Sequence, residues 1–335
     1  MLTFAQATGA LDKLIDRDQD FRLLGTGYGF TEGPAWNTAG GYLVFSDIPG
    51  DRRWRWSEQR GMELDAWPTY KGNGMAYEPD GSLLVCEQVT SSLIRIRPDG
   101  LRQVVACHYQ GKYLNSPNDV IVRSDGSIYF TDPNYGRWDV PVGVGRKCEL
   151  DFQGVYRVPP GGGDTELVVA EKEFEQPNGL AFSPDESIIY INDRRDLKAY
   201  DVAPDGSLSN VRVVHDDMGS AGTPGNGNPD GMEVDALGNI WCTARGGIWV
   251  IAPDGGHHDA YGEYRVIDPP RRIVYTWSWV QEAEVRDTIV TVEFNDLGAS
   301  GTEVVLRHEG LATAKQRESH GAGWTSILDK LAEFV

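Results

Sequence analysis

One arrangement of residues occurs five times along this chain. At "EGPAWNTAGGYLVFSD" from Glu32, "NGMAYEPDGSLLVCE" from Asn73, "NDVIVRSDGSIYFTD" from Asn118, "NGLAFSPDESIIYIND" from Asn178 and "DGMEVDALGNIWCTA" from Asp230, an oxygen-bearing side chain comes first. A short apolar run follows, then a turn containing Asp, Asn or Gly, then a run rich in β-branched and aromatic residues; this is the pattern of a β-hairpin. Hairpins recurring at roughly 40–60 residues, with almost no helical periodicity between them, indicate a repeat whose unit is one small sheet, the pattern of a β-propeller. Strand pairs such as "SLIRIRPDG" with "LRQVVACHY" supply the outer strands of a blade. In a propeller the innermost strand of each blade runs along the central axis, so Glu32, Asn73, Asn118, Asn178 and Asp230 are expected to converge in a ring at one mouth of the channel.

The chain has 335 residues, with 31 Lys and Arg against 50 Asp and Glu, a formal charge of -19. Such a surface repels a phosphate backbone or an anionic leaflet, so neither nucleic acid nor membrane is expected as a partner. Cys86, Cys107, Cys148 and Cys242 form no Cys-x-x-Cys pair and read as reduced thiols in a reducing compartment. No apolar leader or bilayer-length run is seen, so a soluble, cytoplasmic protein is expected.

Two long irregular stretches, from Pro133 and from Asp216, fall where loops would overhang the ring. After Gly255 the repeat stops. "EYRVIDPPRRIVYTWSW", "DTIVTVEFND" and "TEVVLRHEG" read as three longer strands, and Trp324, Ile327, Leu328, Leu331 and Phe334 make one apolar stripe of a final helix. The expected organisation is a propeller over residues 1–255 and a strand-strand-strand-helix segment over 256–335.

The segments "GFTEGPAW", "LNSPNDVIVRSDGSIYFTDPNYG", "LDFQGVYRV", "EQPNGLAFSPDE" and "PDGMEVDALGNIWCT" closely resemble the gluconolactonase family, also called the senescence-marker-protein or regucalcin family, over about residues 21–255. The resemblance implies a six-bladed propeller with one divalent metal in its channel that hydrolyses sugar lactones, or, in some relatives, organophosphates. Carried over, Glu32, Asn178 and Asp230 resemble the metal ligands, and Asn118 either a fourth ligand or a substrate contact. The family's last blade, expected after "WVIAPDG", is missing or atypical here. From about Asp254 onward the chain is similar to the second half of the START-like helix-grip family, in its ATPase-activator-homologue branch.

Two carboxylates and two amide oxygens form a hard donor set that suits Ca²⁺, Mg²⁺ or Mn²⁺, with Zn²⁺ less favoured in the absence of His or Cys. A cation so held polarises a lactone carbonyl, and a base must take a proton from water; Asp230 is assigned that role, or else only holds the cation. Asn73 reads either as a turn residue or as a substrate contact. Tyr135, in "PNYG", reads as a substrate contact from the loop or as a packed aromatic. The bland reading of all five strand-initial residues is that they satisfy backbone groups at turns. In a different functional class, the chain would be a non-catalytic metal- or ligand-binding scaffold.

Overall fold

Each hairpin is closed by local turn chemistry. In the turns at Asp80-Gly81 and Asp125-Gly126 the aspartate Oδ1 accepts the amide two residues on, Ser82 at 2.8 Å and Ser127 at 2.7 Å, while the glycine takes a left-handed φ of 85° or 88° that a side chain would oppose. In the computed structural model, residues 22–216, 218, 227–245, 247–252, 260–261, 263–279, 285–298, 301–314, 316–317, 320–321 and 324 are described. The chain divides into two compact units, 1–255 and 256–335.

The first unit is a succession of antiparallel sheets. Strands β1 (Thr31–Asn37), β2 (Tyr42–Asp47), β3 (Arg52–Ser57) and β4 (Gly61–Ala66) form the first sheet, and β5 (Gly72–Tyr77), β6 (Leu83–Glu87), β7 (Ser92–Ile96) and β8 (Arg102–Ala106) the second. A two-stranded ladder, β9 (His108–Tyr109) with β10 (Lys112–Tyr113), follows. The third sheet is β11 (Val120–Val122), β12 (Ile128–Asp132), β13 (Gly154–Val158) and β14 (Glu166–Leu167). The fourth is β15 (Leu180–Phe182), β16 (Ile188–Asn192), β17 (Leu197–Val202) and β18 (Leu208–His215). The fifth has three strands, β19 (Met232–Val234), β20 (Ile240–Ala244) and β21 (Gly247–Ile251).

Within every sheet the strands pair in chain order, and β1, β5, β11, β15 and β19 lie side by side in that order. No comparable contact joins β19 back to β1 among the described residues. Strand alternation sends successive side chains to opposite faces, so each interior sheet feeds two apolar layers. Tyr129 packs with Leu180, Ile189 and Ile191 between the third and fourth sheets, while its neighbour Phe130 packs with Leu84, Leu93 and Leu114 towards the second. Tyr190 faces Met232, Ile240 and Cys242 of the fifth sheet. This all-β, propeller-like stacking is what brings the five strand starts together.

The second unit holds β22 (Ala260–Tyr261), β23 (Tyr264–Asp268), β24 (Arg272–Trp279), β25 (Thr288–Asp296) and β26 (Thr302–Glu309) in one antiparallel sheet, with β22 and β23 both pairing with β24. The three-strand reading of this region is therefore corrected to five. "EYRVIDPPRRIVYTWSW" is a hairpin, because Pro269 and Pro270 offer no N–H to a ladder, and the Arg271 amide closes the turn onto Asp268 O at 2.7 Å. Residues 316–317, 320–321 and 324 are helical, and Trp324 Nε1 donates to His308 Nδ1 at 3.0 Å. The rest of the expected stripe, Ile327, Leu328, Leu331 and Phe334, lies outside the described residues. All four cysteines are free thiols, and among the described residues no helix is long and apolar enough to cross a membrane.

Candidate metal centre

The five ring residues share one cavity. Glu32, Asn73, Asn118, Asn178 and Asp230 all line a space of about 1570 Å³ that runs along the innermost strands. Glu32, Asn118, Asn178 and Asp230 are each fixed by the ladder that begins its hairpin, while Asn73 falls in a register shift between Gly72 and Met75. Asn118 and Asn178 donate their amides to Thr131 O and Asn192 O at 2.9 and 3.1 Å, and the Asp230 amide donates to Thr243 O at 2.9 Å. The same cavity is lined by Trp36, Leu43 and Phe45 of the first sheet and by Trp241 and Ile248 of the fifth. Among the described residues, no neighbouring sheet of the series lies against the outer faces of the first and fifth sheets, to which these residues belong.

The ring is electrostatically crowded. Burial, then the charge of Asp230, pushes Glu32 up to about 8, although the Gly33 amide, 3.2 Å from Glu32 Oε2, works against this. Burial raises Asp230 to about 6, offset in part by the Gly231 amide and by a hydrogen bond from the Asn178 side chain. The Asn178 side chain thus favours the charged form of Asp230, and its Oδ1 is buried without a hydrogen-bond partner. An orphaned amide oxygen beside two mutually repelling carboxylates is a strained arrangement for the protein alone. It fits a hard dication, which would be held by Glu32, Asn178 and Asp230. Among the described residues no three His, Cys, Asp or Glu side chains gather as a metal cluster by themselves, as expected for a set completed by amide oxygens.

Two acids at this site escaped the sequence reading. Asp119 and Glu233 line the same cavity. Burial, with Glu233 and Asp230 adding repulsion, brings Asp119 to about 7, while its Oδ1 accepts the Val120 amide at 2.9 Å. Burial also raises Glu233. A signal for Asp119 was present: glycine follows the ring residue at Gly33, Gly74, Gly179 and Gly231, and only the third copy breaks the pattern.

Tyr135 is not among the residues lining the cavity. It sits on a single 3-10 turn, Tyr135–Arg137, stacked edge-on against Trp138, and its hydroxyl pKa is raised by burial first and then by the charges of Asp230 and Asp193. Its turn is held by Ser116 Oγ, which accepts the Gly136 amide at 2.9 Å, and by Gln176, which reaches Asn134 Oδ1 at 2.9 Å. Much of the second overhanging stretch, residues 217 and 219–226, lies outside the described residues. Glu87, Asp132 and Asn192, at the ends of second strands, act as hydrogen-bonded caps: Glu87 pairs with Arg102, Asp132 accepts the Asn115 amide at 2.8 Å, and Asn192 joins two ring strands.

Comparison with known proteins places this geometry in a family context. The sequence model of the SMP-30/Gluconolactonase/LRE-like region matches residues 30–264, and that of the activator of Hsp90 ATPase homolog 1-like protein matches residues 229–335, so the two overlap over 229–264. A gluconolactonase of Zymomonas mobilis is 34% identical over 269 residues, covering 73% of each chain. An L-arabinolactonase of Azospirillum brasilense is 27% identical over 301 residues, 85% of this chain and 91% of that one. Among solved structures, a gluconolactonase from Xanthomonas campestris superposes with a TM-score of 0.62 at 33% identity, covering 76% of this chain and 84% of that one.

Proposed function

This chain belongs to the SMP-30/Gluconolactonase/LRE-like family, and from that premise we propose that it is a divalent-metal-dependent lactonase that opens small sugar lactones. Residues 1–255 carry the activity as a propeller of the six-bladed type whose last blade is missing or atypical, and residues 256–335 are a partial START-like segment. The observation that carries the reading is the buried, unpartnered Asn178 Oδ1 beside the Glu32 and Asp230 carboxylates. Relatives that hydrolyse gluconolactone, pentonolactone and arabinolactone support the substrate class.

When bound, the cation supplies Lewis-acid polarisation of the lactone carbonyl. The chain's own residues do the rest. Glu32 and Asp230 neutralise the cation, and Asn178 completes the donor set while its amide orients the Asp230 carboxylate. Asp230 is the more acidic of the two crowded acids, so it is ionised at neutral pH and can take the proton of the attacking water on a carboxylate oxygen. Asn118, from the adjacent sheet, contributes either a fourth oxygen or a contact to a ring hydroxyl, and Asn73 and Tyr135 are the further substrate contacts.

Chelator-treated protein is expected to lose hydrolysis of an aldonolactone panel and to regain it with Ca²⁺, Mg²⁺, Mn²⁺ or Zn²⁺, the most effective ion identifying the cofactor. Turnover indifferent to chelation would overturn the metal role, and cation binding with no turnover of any lactone would leave a binding scaffold.

A further inference from the structure

Every junction between consecutive sheets of the series carries one hydrogen bond to the main-chain carbonyl of the next ring residue. Ser46 Oγ donates to Asn73 O at 3.0 Å, the Gly74 amide to Asn118 O at 2.8 Å, Thr131 Oγ1 to Asn178 O at 2.7 Å, and Asn192 Nδ2 to Asp230 O at 2.6 Å. The side-chain donors stand near the end of the second strand of their sheets. The Thr131 and Asn192 amides donate to the residue after the ring residue, Asp119 O and Gly179 O, whereas Ser46 pairs with the ring residue Glu32 itself, beside an irregularity in the β1–β2 register. All three side chains are buried. Asn192 also accepts the Gly179 amide on Oδ1 at 3.1 Å, so one side chain ties the residue after Asn178 to the carbonyl of Asp230.

The fifth sheet tests whether the position or the residue type creates the contact. Thr243 stands at the same ladder place, its amide donating to Gly231 O at 3.1 Å, yet its Oγ1 turns back to Gly231 O of its own sheet at 3.2 Å. The glycines agree. A Cβ on Gly33, Gly74 or Gly179 would collide with the carbonyl of Asn73, Asn118 or Asp230 respectively, whereas one on Gly231 would meet nothing within 4 Å among the described residues. The bond forms where a following ring strand lies against the sheet.

A main-chain carbonyl held in this way fixes the Cα beside it, and with it the origin of the side chain. We infer that Thr131 and Asn192 are positioning residues for the cation: by fixing the carbonyls of Asn178 and Asp230 they set the spacing of two of its three proposed ligands. This rests on the lactonase reading above. Asn192 bonds to the main chain beside both proposed ligands, and Thr131 reaches the Asn178 carbonyl from the neighbouring sheet, so the pair braces the two residues that would hold the cation. Loss of an outer partner of this kind commonly lowers metal affinity about 10–100-fold.

The test uses full-length protein and calorimetric titration with Ca²⁺ and Mn²⁺, alongside thermal melting. Thr131→Val keeps the shape of threonine and removes the donor; Asn192→Val removes both the Nδ2 donor to Asp230 O and the Oδ1 acceptor of the Gly179 amide; Asn192→Thr supplies the hydroxyl donor that serves this position in the neighbouring sheet; Ser46→Ala breaks the equivalent bond at Asn73, outside the proposed ligands. Both valine variants are expected to bind cation about 10–100-fold more weakly, with Asn192→Thr and Ser46→Ala near wild type. Equal cation affinity in all variants, with only their melting temperatures lowered, would overturn the inference and leave the bonds purely structural. Should Asn192→Val fail to fold, Thr131→Val against Ser46→Ala decides the matter. A wild-type protein that binds neither ion removes the ligand reading itself, and this inference with it.

Discussion

Asn178 and Asp230 make a division of labour that a substitution can expose. Burial opposes the charged form of Asp230 while the Asn178 side chain favours it, and the charge of Asp230 in turn adds to the burial that raises Glu32. Replacing Asp230 by Asn removes one of two repelling carboxylates but also the group that takes a proton from water. Activity and stability should therefore move in opposite directions. Asp230→Asn is expected to lower kcat by about 10²–10⁴-fold, the usual contribution of a positioned base. Its melting temperature without added cation should be equal to or above that of the parent. Retained turnover would take Asp230 out of the proton-transfer role, and a lower melting temperature would mean that the two acids do not crowd each other.

At the scale of strands, the hairpins were legible because period-two alternation and Asp-Gly turns are local signals, and the convergence of Glu32, Asn73, Asn118, Asn178 and Asp230 followed from the repeat. What a strand meets across a sheet junction is not written locally. Asn73 read as a turn residue or a substrate contact, yet the Gly74 that follows it carries no left-handed φ and stands where the carbonyl of Asn118 leaves no room for a Cβ. Asp119 was passed over because it belongs to the same tripeptide as a more conspicuous asparagine. The Pro269-Pro270 pair, by contrast, was a visible strand breaker, and the alternation of large residues after it obscured that. The close approaches predict an asymmetry between two glycines that each follow a ring residue, Gly179 and Gly231. Gly179→Ala drives a methyl into the Asp230 carbonyl and should destabilise the fold by more than the ~1 kcal/mol typical of a random substitution. Gly231→Ala has room and no positive φ, so it should be neutral or gain the ~0.4–1 kcal/mol that follows from a stiffer unfolded chain. Urea denaturation of the two variants side by side checks this, and equal losses would mean that the space beside Gly231 is filled.

Over the whole molecule, a chain with a formal charge of -19 places four acids, Glu32, Asp119, Asp230 and Glu233, on one axial cavity. Glu32 rises to about 8, Asp119 to about 7 and Asp230 to about 6, each above the ordinary carboxylate range near 4. In the cation-free protein the folded state therefore holds protons that the unfolded chain has released between about pH 4 and pH 8. Stability from these groups is complete below that window and is lost as pH rises through it. A divalent cation that binds only the folded ring should reverse the loss, most strongly at the alkaline end, where no proton competes for the carboxylates. The general repulsion of an acidic surface has the same sign, but ~0.5 M salt screens it while leaving buried pairs largely unscreened. Melting temperature measured in such salt should fall from pH 5 to pH 8.5 with chelator present, stay nearly level with Ca²⁺ or Mn²⁺ in excess, and slope less steeply in Glu32→Gln than in the parent. A chelated protein that grows more stable across this range would show that the four carboxylates are already compensated by the protein, which leaves a cation nothing to neutralise at the ring.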